Sequence, residues 1–130
     1  MKYLLDVNAL IALGFREHEF HVRISSWLST PESPQLATCS ITELGFIRVL
    51  ANAAPYAIGV ADARAILAAL KTSNPSRFEF LSDTLDALAL PAWVLGPRQV
   101  TEGHLVNLAT VNEMRLATFD VKIPGAFVIP

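Results

Sequence analysis

The chain alternates short apolar runs of strand length with longer segments whose apolar residues recur at helical spacing. Lys2 to Leu5 is such a run and ends at Asp6. Val7 to Leu13 predicts a short helix closed by Gly14, and His18 to Leu28 a second, with Phe20, Ile24, Trp27 and Leu28 on one stripe. Ser29 to Gln35, with its two prolines, reads as a loop before a short strand at Leu36 to Cys39. Ser40 to Ala51 predicts a third helix with Ser40 as N-cap. Asn52 to Gly59 is a loop, and Ala61 to Lys71 an alanine- and leucine-patterned helix. Phe78 to Leu81 predicts a strand, Thr84 to Leu90 a short helix, and Pro91 to Gln99 an irregular stretch. Val100 to Asn112 predicts a helix, Arg115 to Thr118 a strand leading to Asp120, and Ala126 to Ile129 a last edge strand.

Strands alternating with helices imply an α/β fold with a mainly parallel sheet covered by helices. No internal repeat, low-complexity tract or long linker divides residues 1–130, so they read as one domain. A domain of this size buries roughly two-thirds of its unfolded surface and needs no disulfide or metal staple.

Four acidic residues stand out against this pattern. Asp6 and Asp120 each follow a predicted strand, and ligands of open parallel sheets gather at the carboxyl ends of strands. An aspartate there also serves simply as a turn or helix cap. Ser40-Ile41-Thr42-Glu43 reads as a capping box, with the glutamate reaching back to the N-cap amide. Glu43 is equally in register with Phe46, Ile47 and Leu50, on the apolar stripe of its own helix. A carboxylate on such a face needs a partner, and a metal ion is one. Glu102 repeats the arrangement, in register with Leu105, Val106 and Ala109, although the helix dipole alone accommodates an acid in a first turn. Two acids at strand ends and two at helix starts make a constellation suited to a hard cation such as Mg²⁺ or Mn²⁺. That chemistry is metal-assisted phosphodiester hydrolysis.

Composition narrows the alternatives. The chain is 52% hydrophobic and 17% charged, richer in apolar residues than an average soluble domain, so it buries a large core or gives apolar surface to a partner. No apolar run approaches the roughly 20 residues that span a bilayer. The start, Met1-Lys2-Tyr3-Leu4-Leu5, meets Asp6 too early for a signal peptide. The lone Cys39 forms no internal disulfide; both facts predict a cytoplasmic protein. The net charge of −2 argues weakly against a nucleic-acid partner. With four of the twelve acids assigned to cations, however, ten positive and eight negative charges remain. His18, His21 and His104 show no zinc-ligand spacing, no serine or cysteine triad competes, and no glycine-rich phosphate loop is present. Arg48 reads either as a solvated helix charge or as a rim arginine that holds a phosphate of RNA. Trp27 and Trp93 read as core or interface residues.

Four segments in order carry a resemblance: Leu4-Leu5-Asp6-Val7-Asn8-Ala9-Leu10-Ile11, Ser40 to Leu50 around Glu43, Val100-Thr101-Glu102-Gly103-His104-Leu105, and Leu116-Ala117-Thr118-Phe119-Asp120. Together they resemble the PIN-domain family, especially VapC-type toxin ribonucleases of toxin–antitoxin modules. The resemblance implies a three-layer α/β/α sandwich with a parallel sheet and an endoribonuclease dependent on Mg²⁺ or Mn²⁺. It implies RNA as substrate, a cognate antitoxin as partner and a homodimer. Asp6, Glu43 and Asp120 match the family's acidic positions; Asn8 and Thr118, and with them Thr101, match polar positions that support metal waters or carboxylates. Glu102 departs from the pattern, where the family more often has aspartate. Its extra methylene keeps open a second reading, a catalytically weak PIN-fold module that binds a protein partner. A phosphoacceptor receiver domain would need an acidic pair near the first strand, and a phosphatase of the Asp-x-Asp kind fails at Asn8.

Overall fold

The computed structural model describes residues 1–52, 56–73 and 77–130. Part of the loop predicted over Asn52 to Gly59 therefore lies outside the described residues. Five strands, β1 (Lys2–Leu5), β2 (Gln35–Cys39), β3 (Phe78–Leu81), β4 (Arg115–Thr118) and β5 (Phe127–Val128), form one sheet in the order β3-β2-β1-β4-β5. Every neighbouring pair is parallel. The chain builds outward from β1 to β3 on one side, then crosses to β4 and β5 on the other. The strand order thus reverses between β1 and β4, and their carboxyl ends define the place where an open α/β sheet binds ligands.

The helices are α1 (Val7–Gly14), α2 (His21–Leu28), α3 (Ser40–Asn52), α4 (Val60–Ser73) and α5 (Val100–Val111). Strand residues alternate between the two faces. Leu5, Leu36 and Ala117 pack with Leu10, Ile24, Phe46 and Leu67 beneath α1 to α4. Leu4, Ala37 and Leu116 pack with Leu105, Leu108 and Ala109 of α5 on the opposite side. The result is the expected three-layer α/β/α sandwich. Among the described residues, no helix is long and apolar enough to cross a membrane.

Two glycines allow close approaches that set the site. A Cβ on Gly45 of α3 would stand 2.5 Å from Val7 Cγ2, so only glycine lets α3 pack against the start of α1. A Cβ on Gly103 of α5 would stand 2.3 Å from Val94 Cγ2, so the segment before α5 folds over the residue next to Glu102.

Three elements differ from expectation. The second helix begins at His21 instead of His18, because residues 16–20 form turns in which His18 Nδ1 accepts the Phe20 amide at 3.0 Å. The predicted helix at Thr84 to Leu90 is only a 3₁₀ turn at Ala87–Ala89, capped by Asp86. Pro91 disfavours helical geometry at Leu90, leaving too few residues to propagate a helix. Ser40 already lies inside α3, because β2 runs into the helix without an intervening cap.

Candidate active site

Asp6 leaves the carboxyl end of β1 and begins α1. Its backbone extends the sheet by one bond, donating to the Ala117 carbonyl at 3.2 Å. Its Oδ1 accepts the Ala9 amide at 2.8 Å and so caps α1. Its Oδ2 accepts the Thr118 hydroxyl at 2.5 Å. The capping and functional readings of Asp6 therefore coexist, one on each oxygen.

Thr118 is fully buried at the end of β4. Its hydroxyl also accepts the Asp120 amide at 3.0 Å, and Asp120 Oδ1 accepts the Lys122 amide at 2.9 Å. One threonine thus fixes Asp6 and the backbone that presents Asp120. Glu102 lies half-buried in the first turn of α5, within electrostatic range of Asp120 and Asp6.

The charge of Asp120 acts on the other two carboxylates. Burial pushes the Asp6 carboxyl above its ordinary range, and the Asp120 charge adds to this, outweighing the hydrogen bonds from Thr118 and Ala9. Glu102 is raised by burial, then by Asp120 and Asp6. Like charges so placed call for a counter-charge.

Glu43 is held differently. It lies on α3, and the expected reach back to the Ser40 amide is replaced by two other contacts. Its Oε2 accepts the hydroxyl of buried Thr38 at 2.5 Å and the Lys71 ammonium at 2.6 Å. Lys71 comes from the last turn of α4 and also lies 5.3 Å from the centre of the Phe80 ring. Glu43 and Lys71 line a groove of about 710 Å³ between α3 and α4, with Ile47, Arg64 and Ala68 along it.

No protein-family model matches the chain. Ribonuclease VapC38 of Mycobacterium tuberculosis is 44% identical over 124 residues, which cover 92% of this chain and 86% of that protein. Ribonuclease VapC44 of the same species is 38% identical over 97% of this chain and 94% of its own length. The chain belongs to the VapC ribonuclease family. A crystal structure of VapBC2 from Rickettsia felis, bound to a DNA fragment from their promoter, superposes with a TM-score of 0.62. That match covers 98% of this chain and 96% of that one at 14% identity, and it speaks to the fold.

Of the four acids expected from the sequence, Asp120 acts electrostatically on Asp6 and Glu102, Asp6 acts on Glu102, and Glu43 is tied to Lys71. Among the described residues, no three His, Cys, Asp or Glu side chains are already gathered tightly enough to hold a metal ion. Of the supporting positions, Thr118 touches two of the acids, whereas Asn8 and Thr101 are exposed with no bond to the acids among the described residues. Arg48 is exposed on α3. His104 pairs instead with Asp83 beyond β3. Burial opposes ionisation of Asp83, but bonds from His104 and the Leu85 amide, with the His104 charge, hold its carboxyl below the ordinary range.

Sequence reasoning did not single out Thr38 or Lys71. Thr38 had a visible signal, because it lies near the carboxyl end of β2 as Thr118 lies at that of β4, and each hydroxyl donates to an acid. Nothing in the spacing links Lys71 to Glu43, 28 positions earlier.

Proposed function

We propose that this chain, as one nuclease domain over residues 1–130, is a metal-dependent endoribonuclease and the toxin of a toxin–antitoxin module, acting in the cytoplasm. The observation that carries the reading is the trio Asp6, Glu102 and Asp120 at the strand-order reversal, with ionisation of Asp6 and Glu102 opposed by burial and by neighbouring acids. Their donor chemistry fits Mg²⁺ or Mn²⁺, which take carboxylate oxygens and retain waters. Asp6, Glu102 and Asp120 would hold the cation, with Glu43 as a fourth donor. When bound, it would polarise the phosphodiester and make a water a better nucleophile.

The chain's own groups do the positioning. Thr118 locks the Asp6 rotamer and the Asp120 backbone together, so both acids keep one orientation toward the phosphate. Gly45 keeps α3, and with it Glu43, close to α1. The longer Glu102 reaches in from the start of α5. Arg48, exposed on α3, would meet a phosphate of the RNA.

A cognate antitoxin restrains the enzyme, and a second copy of the chain covers part of its apolar surface. Leu88 and Leu95, 92% and 91% exposed between β3 and α5, are part of that surface. Purified protein freed of antitoxin is expected to cut single-stranded RNA in Mg²⁺ or Mn²⁺ and to stop in EDTA. RNA left intact under all metal conditions would overturn the proposal.

A further inference from the structure

We infer that Lys71 is an internal counter-ion that competes with the divalent cation for Glu43, and that cation binding at Glu43 proceeds by displacing the Lys71 ammonium. The inference rests on the metal-site reading above and adds a positioning residue to it.

The sheet register builds the pairing. Thr38 of β2 is aligned with Phe80 of β3, so their side chains stand next to each other on one face. Thr38 donates to Glu43 Oε2, while Phe80 lies beneath the Lys71 ammonium. Carboxylate and ammonium are thus each held by one member of an in-register pair and meet at 2.6 Å. Their side chains are 19% and 30% exposed, enough burial to keep the pair ordered and enough access for exchange. Glu43 is thus already occupied by a cation that the protein itself supplies. Once displaced, the ammonium remains at the groove shared with Arg64, where a phosphate of the RNA is its natural new partner.

The test is Mn²⁺ binding to the metal-free protein, measured by calorimetry and by the electron paramagnetic resonance of free Mn²⁺, in wild type, Lys71→Met, Lys71→Arg, Glu43→Gln and the Glu43→Gln/Lys71→Met double variant. Lys71→Met is expected to bind Mn²⁺ more tightly by about threefold or more, since a competing unit charge is gone. Lys71→Arg is expected to stay near wild type. In the Glu43→Gln background, removing Lys71 is expected to change affinity far less, because the competition runs through that carboxylate. Unchanged or weaker binding by Lys71→Met overturns the inference, as does an equal gain in both backgrounds, which would mark a general field effect. Melting in EDTA separates misfolding from a binding effect. If wild type binds no Mn²⁺, the metal-site reading falls and this inference with it. If wild type binds Mn²⁺ and Asp6→Asn does not, a null result at Lys71 removes this inference alone.

Discussion

The Thr118 hydroxyl donates to Asp6 Oδ2 at 2.5 Å, across 112 positions of sequence. It joins β4 to the residue that follows β1 and caps α1, at the point where the strand order reverses. Replacing it with valine keeps the shape but leaves a half-buried carboxylate short of one partner. A hydrogen bond to a charged group contributes about 1.5–3 kcal/mol, so Thr118→Val is expected to lower RNA cleavage by about tenfold or more. It should also raise the Mn²⁺ concentration needed for half-maximal rate. A rate-versus-Mn²⁺ titration that overlays wild type would remove Thr118 from the site.

Glu102→Ala is expected to reduce cleavage strongly, because it removes one of three interacting carboxylates. Glu102→Asp is expected to retain activity, and an increase is expected if the shorter side chain fits the cation better. Cleavage against Mg²⁺ and Mn²⁺ concentration distinguishes these outcomes. Wild-type titration by the alanine variant would reduce Glu102 to a helix-start acid.

The raised Asp6 and Glu102 carboxyls predict how stability responds to pH. Each has a folded value above its ordinary one, near 3.8 and 4.5, so the folded state favours the protonated form. Their contribution is fully present below those ordinary values and is lost as pH rises through the folded values. In EDTA these two groups should therefore make the protein less stable at pH 7 than near pH 4. A divalent cation competes with those protons, so its stabilising effect should be larger at pH 7. At a hundredfold excess over Kd, binding to the folded state alone contributes about 2.7 kcal/mol. Thermal melts with and without Mn²⁺ at both pH values check the sign; an equal shift at both would contradict it.

Gly45→Ala places a methyl group 2.5 Å from Val7 Cγ2. Overpacking of this kind costs about 1–3 kcal/mol. The variant should melt earlier, and Val7→Ala in the same chain should restore part of the loss. Urea unfolding of both single variants and the double variant measures the coupling. Strict additivity would mean that the α1–α3 contact relaxes without resistance.

Much of the fold was legible because each layer buries a periodic stripe. Leu4 and Leu5 face opposite cores, and Leu105, Leu108 and Ala109 form the buried stripe of α5. Asp6 and Asp120 stood out in the sequence as strand-end acids and Glu43 and Glu102 as helix-start acids; the Asp120 charge acts on Asp6 and Glu102, while Glu43 is paired with Lys71. Three features were not legible. The 3₁₀ turn at Ala87–Ala89 had apolar residues at helical spacing, but Leu88 is 92% exposed and buries nothing. The turns before α2 depend on the His18 ring and backbone, which no periodicity reports. The Glu43 partners come from β2 and α4, and only the β2–β3 register reveals that they meet.

The most direct test is Asp6→Asn, assayed for Mn²⁺ binding and RNA cleavage on antitoxin-free protein. Asparagine can still accept the Ala9 amide and cap α1, so melting in EDTA should stay close to wild type or rise slightly. Losing a charged donor at the centre of the acids should weaken Mn²⁺ binding and lower cleavage by on the order of a hundredfold or more. A folded Asp6→Asn protein that binds Mn²⁺ and cuts RNA like wild type at matched metal concentration would contradict the account.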